Sequence, residues 1–430
     1  MGMRSKAIIW FKNDLRLLDN ETLVEAAANF DIIPVYVFDE RHYKMSTLGF
    51  TKTGSFKAKF LIESLQSLKN NLKKIGSDLI VRTGKPELII PELAKDVNAA
   101  KVYASKEITY EEVIIEGALE ASLFKRGISL KLIWQQTLFH QEDVPWPIKQ
   151  VPDVFTQFRK EAENTVKVRA IFAKPTSLPA VPNIELGDIP TLKDLGLEEF
   201  SSDKRSVLKF IGGEENGKKR IDKYFWKQDL LKSYKKTRNG LIGADYSSKL
   251  SPWLAVGAIS PKTIYYDVKK YEKLREGNDS TYWLIFELLW RDFFKFMSKK
   301  HGQNIFLENG FSSLDIQLKN DGGAFETWKN GTTEDEFINA NMKELLHSGF
   351  MSNRGRQIVA SYLIYQLKVN WTWGAAWFEH SLIDYDPCSN WLNWAYIAGV
   401  GNDPRNGREF NVESQRLQHD PKGEYVALWN

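Results

Sequence analysis

Short apolar runs alternate with helical patterns over the first 135 residues. Five runs have the compact apolar character of buried strands, at residues 6–11, 32–39, 79–83, 101–106 and 129–134. Between them, apolar residues recur at helical spacing, most clearly at 55–76, a segment that ends on a glycine. This alternation predicts an α/β domain over residues 1–135, built on a doubly wound parallel sheet.

The pattern changes after residue 135. Four prolines (Pro175, Pro179, Pro182 and Pro190) lie close together, and proline interrupts regular structure, so we interpret residues 136–200 as an interdomain linker. Beyond it the patterns are almost entirely helical, at 281–300, 335–347, 353–368 and 374–383. The sequence therefore predicts an all-α C-terminal domain over residues 201–430.

Composition indicates a soluble globular protein. Of the 430 residues, 43% are hydrophobic and 27% charged, and neither a bilayer-spanning run nor a signal peptide is visible. We therefore expect no membrane association and a cytoplasmic location, with an organelle still open. The single cysteine, Cys388, excludes an internal disulfide and any site built from several thiolates. The scattered histidines also argue against a metal enzyme.

Two biases in the sequence leave alternatives open. Twelve lysines and arginines lie between Lys204 and Arg238, within a net charge of +4, and they form either a solvated helix face or a phosphate-binding surface. Eleven of the 14 tryptophans follow residue 200. Most of these will serve a helical core, but their density there also permits a flat aromatic cofactor.

Two segments carry candidate ligand-binding groups. In 244–261, several hydroxyls precede a helix start, which suits either phosphate binding or ordinary capping by Ser251 with Pro252 at the first helical position. In 286–296, Glu287, Trp290 and Arg291 share one helix face. They form either a wall for a polar planar ligand or an ion pair beside a core tryptophan.

A third segment, 352–405, places charged and aromatic residues together. Asp384 and Asp386 share a short loop with Asn390, and two carboxylates so close need a cationic or hydrogen-bonding partner, for which Arg356 is the candidate. Tryptophans follow directly. This arrangement is typical of a cofactor pocket, and a structural Arg–Asp network is the alternative.

At these residues the sequence closely resembles the photolyase/cryptochrome family. The resemblance runs from WFKNDLRLLDN at 10–20, where Lys12 replaces the usual arginine, to DPKGEYVALW at 420–429. Four stretches are similar to the DASH subgroup: VPDVFTQFRKEAE at 151–163, TRNGLIGADYSSKLSPWL at 237–254, GFMSNRGRQIVASYL at 349–363 and CSNWLNWAYIAGVGNDPR at 388–405. These stretches are long enough to make a chance match negligible.

The resemblance implies an FAD in the helical domain and a methenyltetrahydrofolate antenna whose ligands it does not name. On the pyrophosphate side it implies Tyr234, Ser247, Ser248, Leu250 and Ser251. Further pocket residues would be Glu287, Arg291, Asn353 and Arg356. Asp384 and Asp386 would face the ribityl chain and flavin, with Arg356 paired to Asp384, and Asn390 would lie beside flavin N5 and tune its electronic states.

The implied activity is blue-light repair of cyclobutane pyrimidine dimers, chiefly in single-stranded DNA, by an electron from photoexcited reduced FAD. The lesion, bound out of the base stack, would contact Trp290 by stacking and Glu111 by a hydrogen bond. Arg354 would contact phosphate, while Gln357 and Tyr396 would favour single strands. We expect a monomer. The competing functions are a blue-light photoreceptor and a DNA-binding regulator without repair.

One departure concerns electron supply to the flavin. The family uses three tryptophans, of which Trp394 and Trp371 match the inner two. The outermost position is Leu318. Light-driven reduction of FAD is therefore expected to be slower, or to be rerouted through Trp373 or Trp328.

Overall fold

A five-stranded parallel sheet forms the N-terminal part of the protein, whose computed structural model describes residues 4–312, 316–405 and 407–430. The strands are β1 (Lys6–Phe11), β2 (Asp31–Asp39), β3 (Ile80–Gly84), β4 (Ala99–Ser105) and β5 (Ser129–Ile133), in the order β3-β2-β1-β4-β5. The intervening helices are α1 (Glu21–Asn29), α2 (Ser55–Lys74), α3 (Pro86–Asp96) and α4 (Tyr110–Phe124). The predicted doubly wound sheet is confirmed.

Burial explains why the central strand has no alternating pattern. Ala7, Ile8, Ile9 and Phe11 of β1 are all fully buried, because helices cover both faces of a parallel sheet. The strand order reverses between β1 and β4. In open α/β sheets this switch point is where ligands bind, beyond the carboxyl ends of the strands.

Beyond the sheet, the regular structure of the described chain is helical, which confirms the second half of the predicted fold class. Its helices are α5 (Phe155–Thr165), α6 (Glu214–Ile221), α7 (Tyr234–Thr237), α8 (Ser251–Ala255), α9 (Pro261–Leu274), α10 (Asp279–His301), α11 (Gly322–Lys329), α12 (Glu336–Ser348), α13 (Asn353–Ser361), α14 (Trp371–Ser381), α15 (Pro387–Ala398), α16 (Val412–His419) and α17 (Glu424–Trp429). Within these described segments, no helix is both long and apolar enough to cross a membrane.

A buried carboxyl fastens the helices to the segment that follows the sheet. Asp292 of α10 accepts hydrogen bonds from the backbone N–H groups of Leu138 and Phe139, at 2.9 and 2.8 Å. Its complete burial raises the pKa to about 7. The long helix α10 is thereby fixed against the N-terminal part, and its next turns reach the site described below.

Candidate functional site

A cavity opens among α13, α14, α15 and the loop that joins the last two helices. Its cavity volume is about 80 Å³. Seven predicted site residues line it: Asn353, Arg356, Gln357, Asp384, Asp386, Asn390 and Trp394. The cavity also has lining residues that sequence reasoning did not single out: Ala360, Phe378, Leu382, Tyr385, Ser389, Asn393 and Ile397. Carboxylates, amides and one indole thus converge on one concave surface.

One carboxylate oxygen of Asp384 has two hydrogen-bond partners, and the other has none among the described residues. Its Oδ2 accepts hydrogen bonds from Arg356 Nη2 at 2.9 Å and from Ser251 Oγ at 2.6 Å. Its Oδ1 is buried and has no partner among the described residues. Because a buried acceptor without a partner is costly, this oxygen marks a position for a hydrogen-bond donor of a ligand.

Local structure explains the position of Arg356. Ser352 caps α13 by accepting a hydrogen bond from Gly355 N at 2.9 Å, which starts the helix at Asn353 and places Arg356 in its first turn. Arg356 Nε also donates to Met351 O at 2.9 Å. The start of its own helix thus fixes the guanidinium in the position from which it pairs with Asp384. The sequence predicted this pair.

Asp386 has a different partner. Its Oδ2 accepts from Lys295 Nζ of α10 at 2.8 Å, and its Oδ1 caps α15 by accepting from Ser389 N at 2.8 Å. Burial opposes ionisation, but Lys295 and Arg291 hold the pKa of Asp386 well below its ordinary value. The two carboxylates therefore coexist because each has its own cation. Sequence reasoning named Arg356 and missed Lys295.

The aromatic wall of the cavity depends on a glycine. Trp394 lies edge-on to Phe378, with ring centroids 5.1 Å apart, and edge-on to Trp328 at 6.0 Å. A Cβ at Gly374 would lie 2.3 Å from the Trp394 ring. Only glycine at this position lets α14 approach so closely. Nearby, Asn390 Nδ2 donates to Ala375 O at 2.9 Å, which fixes the amide that lines the cavity.

Aromatic contacts lead from Trp394 toward the surface. Trp328 is fully buried, and its ring centroid is 6.0 Å from that of Phe325, which in turn is 5.5 Å from the half-buried Trp373. Trp371, the other predicted donor, lies edge-on to Trp391 at 5.9 Å. Leu318 is a half-buried residue packed on the same core.

Trp290 forms a separate aromatic platform outside the cavity lining. Its ring stacks on Phe155 at a centroid distance of 3.7 Å with 14° between the planes, and it lies edge-on to Tyr396 at 6.0 Å. Arg408 donates a hydrogen bond to the Tyr396 hydroxyl. Phe155 was missed as a site residue, although it lies within the quoted VPDVFTQF stretch.

Other predicted residues have contacts of their own. Glu287 accepts from Arg238 at 2.6 Å and from Trp283 at 3.0 Å, and burial raises its pKa. Arg291 donates to the carbonyl oxygens of the linker residue Gln136 and of Leu254.

Glu111, the predicted hydrogen-bonding partner of the lesion, lies on the N-terminal part of the protein. It starts α4, is largely exposed and pairs with Lys52. Among the contacts of the described residues, none joins Glu111 to Trp290. The acid that accompanies Trp290 on its own helix face is Glu287.

A buried arginine shapes the hydroxyl-rich loop. Arg220 donates to the carbonyl oxygens of Ser248, Ala244 and Ser247 at 2.8 to 3.0 Å and pairs with Asp245 at 3.2 Å. Of the predicted residues here, Tyr234, Ser248 and Leu250 are buried, Ser247 is partly buried and Ser251 is exposed.

The alternative in which Ser251 caps helix α8 is wrong. It is the first residue of the five-residue helix α8, and its hydroxyl donates to Asp384 instead. No side chain caps this helix.

Arg354 is partly buried beside the ring of Phe410. Its Nε has no partner among the described residues. Its neighbour Gln357 lines the cavity.

Comparison with known proteins agrees with this two-part architecture. The DNA photolyase domain profile matches residues 7–182, and the profile of the FAD binding domain of DNA photolyase matches residues 283–430. The pocket therefore lies in a flavin-binding domain of the photolyase type.

Individual relatives and solved structures identify the subgroup of photolyase-type proteins to which the chain is similar. The chain is 48% identical to a cryptochrome DASH of Gloeobacter violaceus, over 98% of this chain and 85% of that protein. It is also 48% identical to a chloroplastic/mitochondrial cryptochrome DASH of Arabidopsis thaliana, over 98% of this chain and 75% of that protein. The crystal structure of a Synechocystis cryptochrome superposes with a TM-score of 0.96 at 47% identity, covering 100% of this chain and 89% of that one. The chain belongs to the photolyase/cryptochrome family, in its DASH subgroup.

Proposed function

We propose that this protein uses blue light to repair cyclobutane pyrimidine dimers, chiefly in single-stranded DNA. The observation that carries the proposal is the cavity in which Asp384 is fixed by Arg356 and Ser251 and still presents an unpartnered oxygen beside Trp394. This arrangement fits a planar, polar cofactor with hydroxyl or N–H donors, and the chain carries the FAD-binding domain of photolyases. Bound FAD, reduced and photoexcited, would supply the electron that splits the dimer.

The residues around the cavity would orient this cofactor. Asp384 Oδ1 would accept a hydrogen bond from a hydroxyl of the ribityl chain, while the Asn390 amide would lie against the flavin ring. The loop of Ser247 and Ser248 would hold the pyrophosphate. Arg220 donates hydrogen bonds to the carbonyl oxygens of both serines, so the other polar groups of the loop would bind the phosphates. Tyr234, Leu250, Glu287, Arg291, Asn353 and Asp386 complete the proposed set.

The stacked pair of Trp290 and Phe155 would hold the lesion. A base flipped from the DNA stack needs an aromatic surface, and this pair is already ordered by its own contact at 3.7 Å. Arg354, together with the lysines and arginines between Lys204 and Arg238, would contact phosphates. A single strand is favoured because its bases need not be unpaired before they enter the site. Gln357 and Tyr396 would contribute to this preference.

We also propose that electrons reach the flavin pocket through Trp328. The ring contacts from Trp394 to Trp328, and through Phe325 to Trp373, join the cavity to a partly exposed indole. This path does not need Leu318. It predicts that Trp328→Phe slows photoreduction of the bound flavin in the presence of an external thiol reductant. The same variant should repair normally once it is chemically reduced. Equal photoreduction rates would rule out the path.

A methenyltetrahydrofolate antenna would bind between the sheet and the helices. Lys57 of α2, Glu112 of α4 and Tyr385 of the cavity wall meet there, with Lys57 Nζ 4.2 Å from the centre of the Tyr385 ring. Burial lowers the pKa of Lys57 to about 8 and raises that of Glu112 to about 7. Such groups can exchange hydrogen bonds with a pterin. Loss of folate but retention of FAD in Glu112→Gln would support this location, and full folate occupancy would exclude it.

The deciding experiment is repair of a thymine dimer in a single-stranded oligonucleotide under blue light. The protein is chemically reduced beforehand, so that electron supply does not limit the result. Light-dependent recovery of thymine absorbance is expected, with slower repair in the matched duplex. The variant Trp290→Ala should lose lesion binding and keep FAD. Absence of repair by a protein that retains FAD and binds the oligonucleotide would sink the enzyme assignment and favour a photoreceptor.

A further inference from the structure

The chain of aromatic contacts that leads from the cavity divides at Phe325. One branch leads to Trp373, whose ring centroid is 5.5 Å from that of Phe325. The other branch leads to Phe50, with centroids 6.5 Å apart, and from there to Trp377 at 5.1 Å. Indole is more easily oxidised than a phenylalanine ring. An electron vacancy, which is the positive charge left on a ring that has given up an electron, can therefore come to rest on Trp373 or on Trp377.

The two indoles differ in their access to solvent. Trp373 is partly exposed, so water can accept the N–H proton of its oxidised ring and a dissolved reductant can reach it. Trp377 is only 7% exposed, and its Nε1 is buried without a hydrogen-bond partner among the described residues. A vacancy on Trp377 could neither lose a proton to water nor be filled from solution. Of the two, only Trp373 can therefore serve as the outer electron donor.

A lysine lies against the Trp377 branch. Lys329 is the last residue of α11, and its Nζ is 5.2, 5.9 and 6.0 Å from the ring centres of Trp377, Phe325 and Phe50, respectively. A cation over a ring face is attracted to the neutral ring and repels positive charge on it. Among the described residues, no lysine or arginine lies as close to the ring of Trp328 or Trp373. The charge of Lys329 therefore disfavours a vacancy on Trp377.

The neighbouring titratable groups do not cancel this charge. Lys329 pairs with Glu326 at 2.5 Å, but the glutamate side chain is 52% exposed and the lysine side chain only 16%. Water therefore screens the carboxylate more strongly than the ammonium, which lies over the rings. His380 stacks on Trp377 at 5.1 Å, and burial lowers the pKa of His380, so the imidazole is neutral at pH 7.

We infer that Lys329 directs the electron vacancy away from Trp377 and onto Trp373. This inference rests on the proposed path through Trp328 and defines the outer end of that path. For each photon absorbed by bound FAD, one electron leaves the Trp373 indole and passes through Trp328 and Trp394 to the flavin. The oxidised indole releases its N–H proton to water. An external thiol then returns one electron and one proton to Trp373 and is itself oxidised.

Flavin photoreduction in the presence of a thiol tests the role of the charge. Lys329→Met should slow photoreduction by about 3- to 10-fold, because the vacancy is then shared with an indole that the thiol cannot reach. Lys329→Arg keeps the charge and should be photoreduced at the wild-type rate. Equal rates for the wild type and both variants, or the same loss in both variants, would overturn the inference.

A second substitution tests whether Trp377 is the competing indole. Trp377→Phe alone should leave the photoreduction rate unchanged, because Lys329 already excludes the vacancy from that ring. In the Lys329→Met background, Trp377→Phe should restore the wild-type rate. Transient absorption should likewise show a lower yield of the deprotonated tryptophan radical in Lys329→Met, and recovery of this yield in the double variant. A double variant that stays slow would mean that the lysine acts only on the structure, which contradicts the inference.

Two controls separate this inference from the proposed function. Chemically reduced protein does not use the path, so dimer repair by reduced Lys329→Met should equal that of the wild type, and the flavin absorbance of the purified variant shows that FAD is retained. Trp328→Phe tests the path itself. If photoreduction does not depend on Trp328, the proposed path is wrong. If it depends on Trp328 and not on Lys329, the path stands and only the inference about Lys329 is wrong.

Discussion

The two halves of the molecule treat their buried polar groups differently. Among the described residues, fifteen buried side-chain nitrogen or oxygen atoms lack a hydrogen-bond partner. Three belong to the sheet half, at Asp19, Ser77 and Ser105, and twelve belong to residues 201–430. The helical half has more residues than the sheet half, but fewer than four times as many. Each unpaired group costs about 1–3 kcal/mol, and of these twelve only Asp384 Oδ1 belongs to a residue that lines the cavity, where a ligand can supply the missing partner.

Particular residues make the contrast concrete. In the sheet half, Gln135 Nε2 donates to Asp14 Oδ2 and Thr22 Oγ1, both at 3.0 Å, and its Oε1 accepts from Glu21 N at 2.8 Å. The network is closed. In the helical half, Asp384 Oδ1 is open toward the cavity. The sheet half thus folds as a satisfied scaffold, and the helical half retains hydrogen-bonding capacity for a cofactor.

The largest effect is expected when one carboxylate is removed from each half. Asp384→Ala should weaken FAD binding by roughly 100-fold or more, because it also leaves the Arg356 charge without a partner. Asp14→Ala, in the closed network of the sheet half, should lower the free energy of unfolding by about 1–3 kcal/mol and leave FAD affinity unchanged. Fluorescence titration with FAD and chemical denaturation measure both effects. Equal loss of FAD affinity in the two variants would refute the contrast.

A pair of glycines gives the next largest effect. Gly374→Ala would push a methyl group into the Trp394 ring, 2.3 Å away, and should cost about 1–3 kcal/mol in unfolding free energy while displacing the cavity wall. Gly117→Ala meets open space on α4 and should stabilise the protein by about 0.5–1 kcal/mol, since alanine favours helix. Thermal unfolding and FAD affinity distinguish the two. Two variants with the same sign of stability change would count against this packing argument.

The sheet half was easier to predict from sequence than the helical half. A buried parallel strand appears as an uninterrupted apolar run, and β1 begins and ends where its run does. The pattern at 353–368 predicted one helix, but the structure has α13 followed by a π-helical turn at Tyr362–Gln366, which helical periodicity does not distinguish.

Pairs of residues in the site were also predictable only when both residues lie close together in the sequence. The Asp384–Arg356 pair was predictable because both residues lie in one recognisable segment. Lys295 is 91 residues from Asp386 and reaches it only because α10 packs on α15. Nothing local in the sequence encodes that contact. The proposed domain boundaries stay predictions.

A buried glutamate in the helical half makes the stability of the protein depend on pH. Complete burial raises the pKa of Glu344 to about 8, and only one of its oxygens has a partner, the Tyr425 hydroxyl at 2.6 Å. The folded protein therefore retains a proton that the unfolded chain releases above pH 4.5. Stability from this group is present at low pH and is lost as pH rises toward 8, by up to about 1.4 kcal/mol per pH unit.

The test compares urea unfolding of the wild type and Glu344→Gln between pH 5 and pH 8, where glutamine mimics the protonated acid. The difference between the two unfolding free energies should change steadily in favour of the variant as pH rises. A constant difference would mean that Glu344 is ionised in the folded state as well.

The smallest effect concerns the connecting segment between the two halves. Phe155 lies in the predicted linker, yet its ring stacks on Trp290 and holds that indole in place. An aromatic pair contributes about 0.5–1.5 kcal/mol beyond the area it buries, so Phe155→Leu should weaken binding of a dimer-containing single strand by about 3- to 10-fold. The matched control is Phe124→Leu on the outer face of α4, which should not affect lesion binding.

Fluorescence anisotropy with damaged and undamaged oligonucleotides measures the change. A loss restricted to the damaged strand would assign Phe155 to the lesion platform, and an equal loss on both would make it a general DNA contact. Unchanged affinity would mean that Trp290 is ordered without it, and that the linker contributes only a connection.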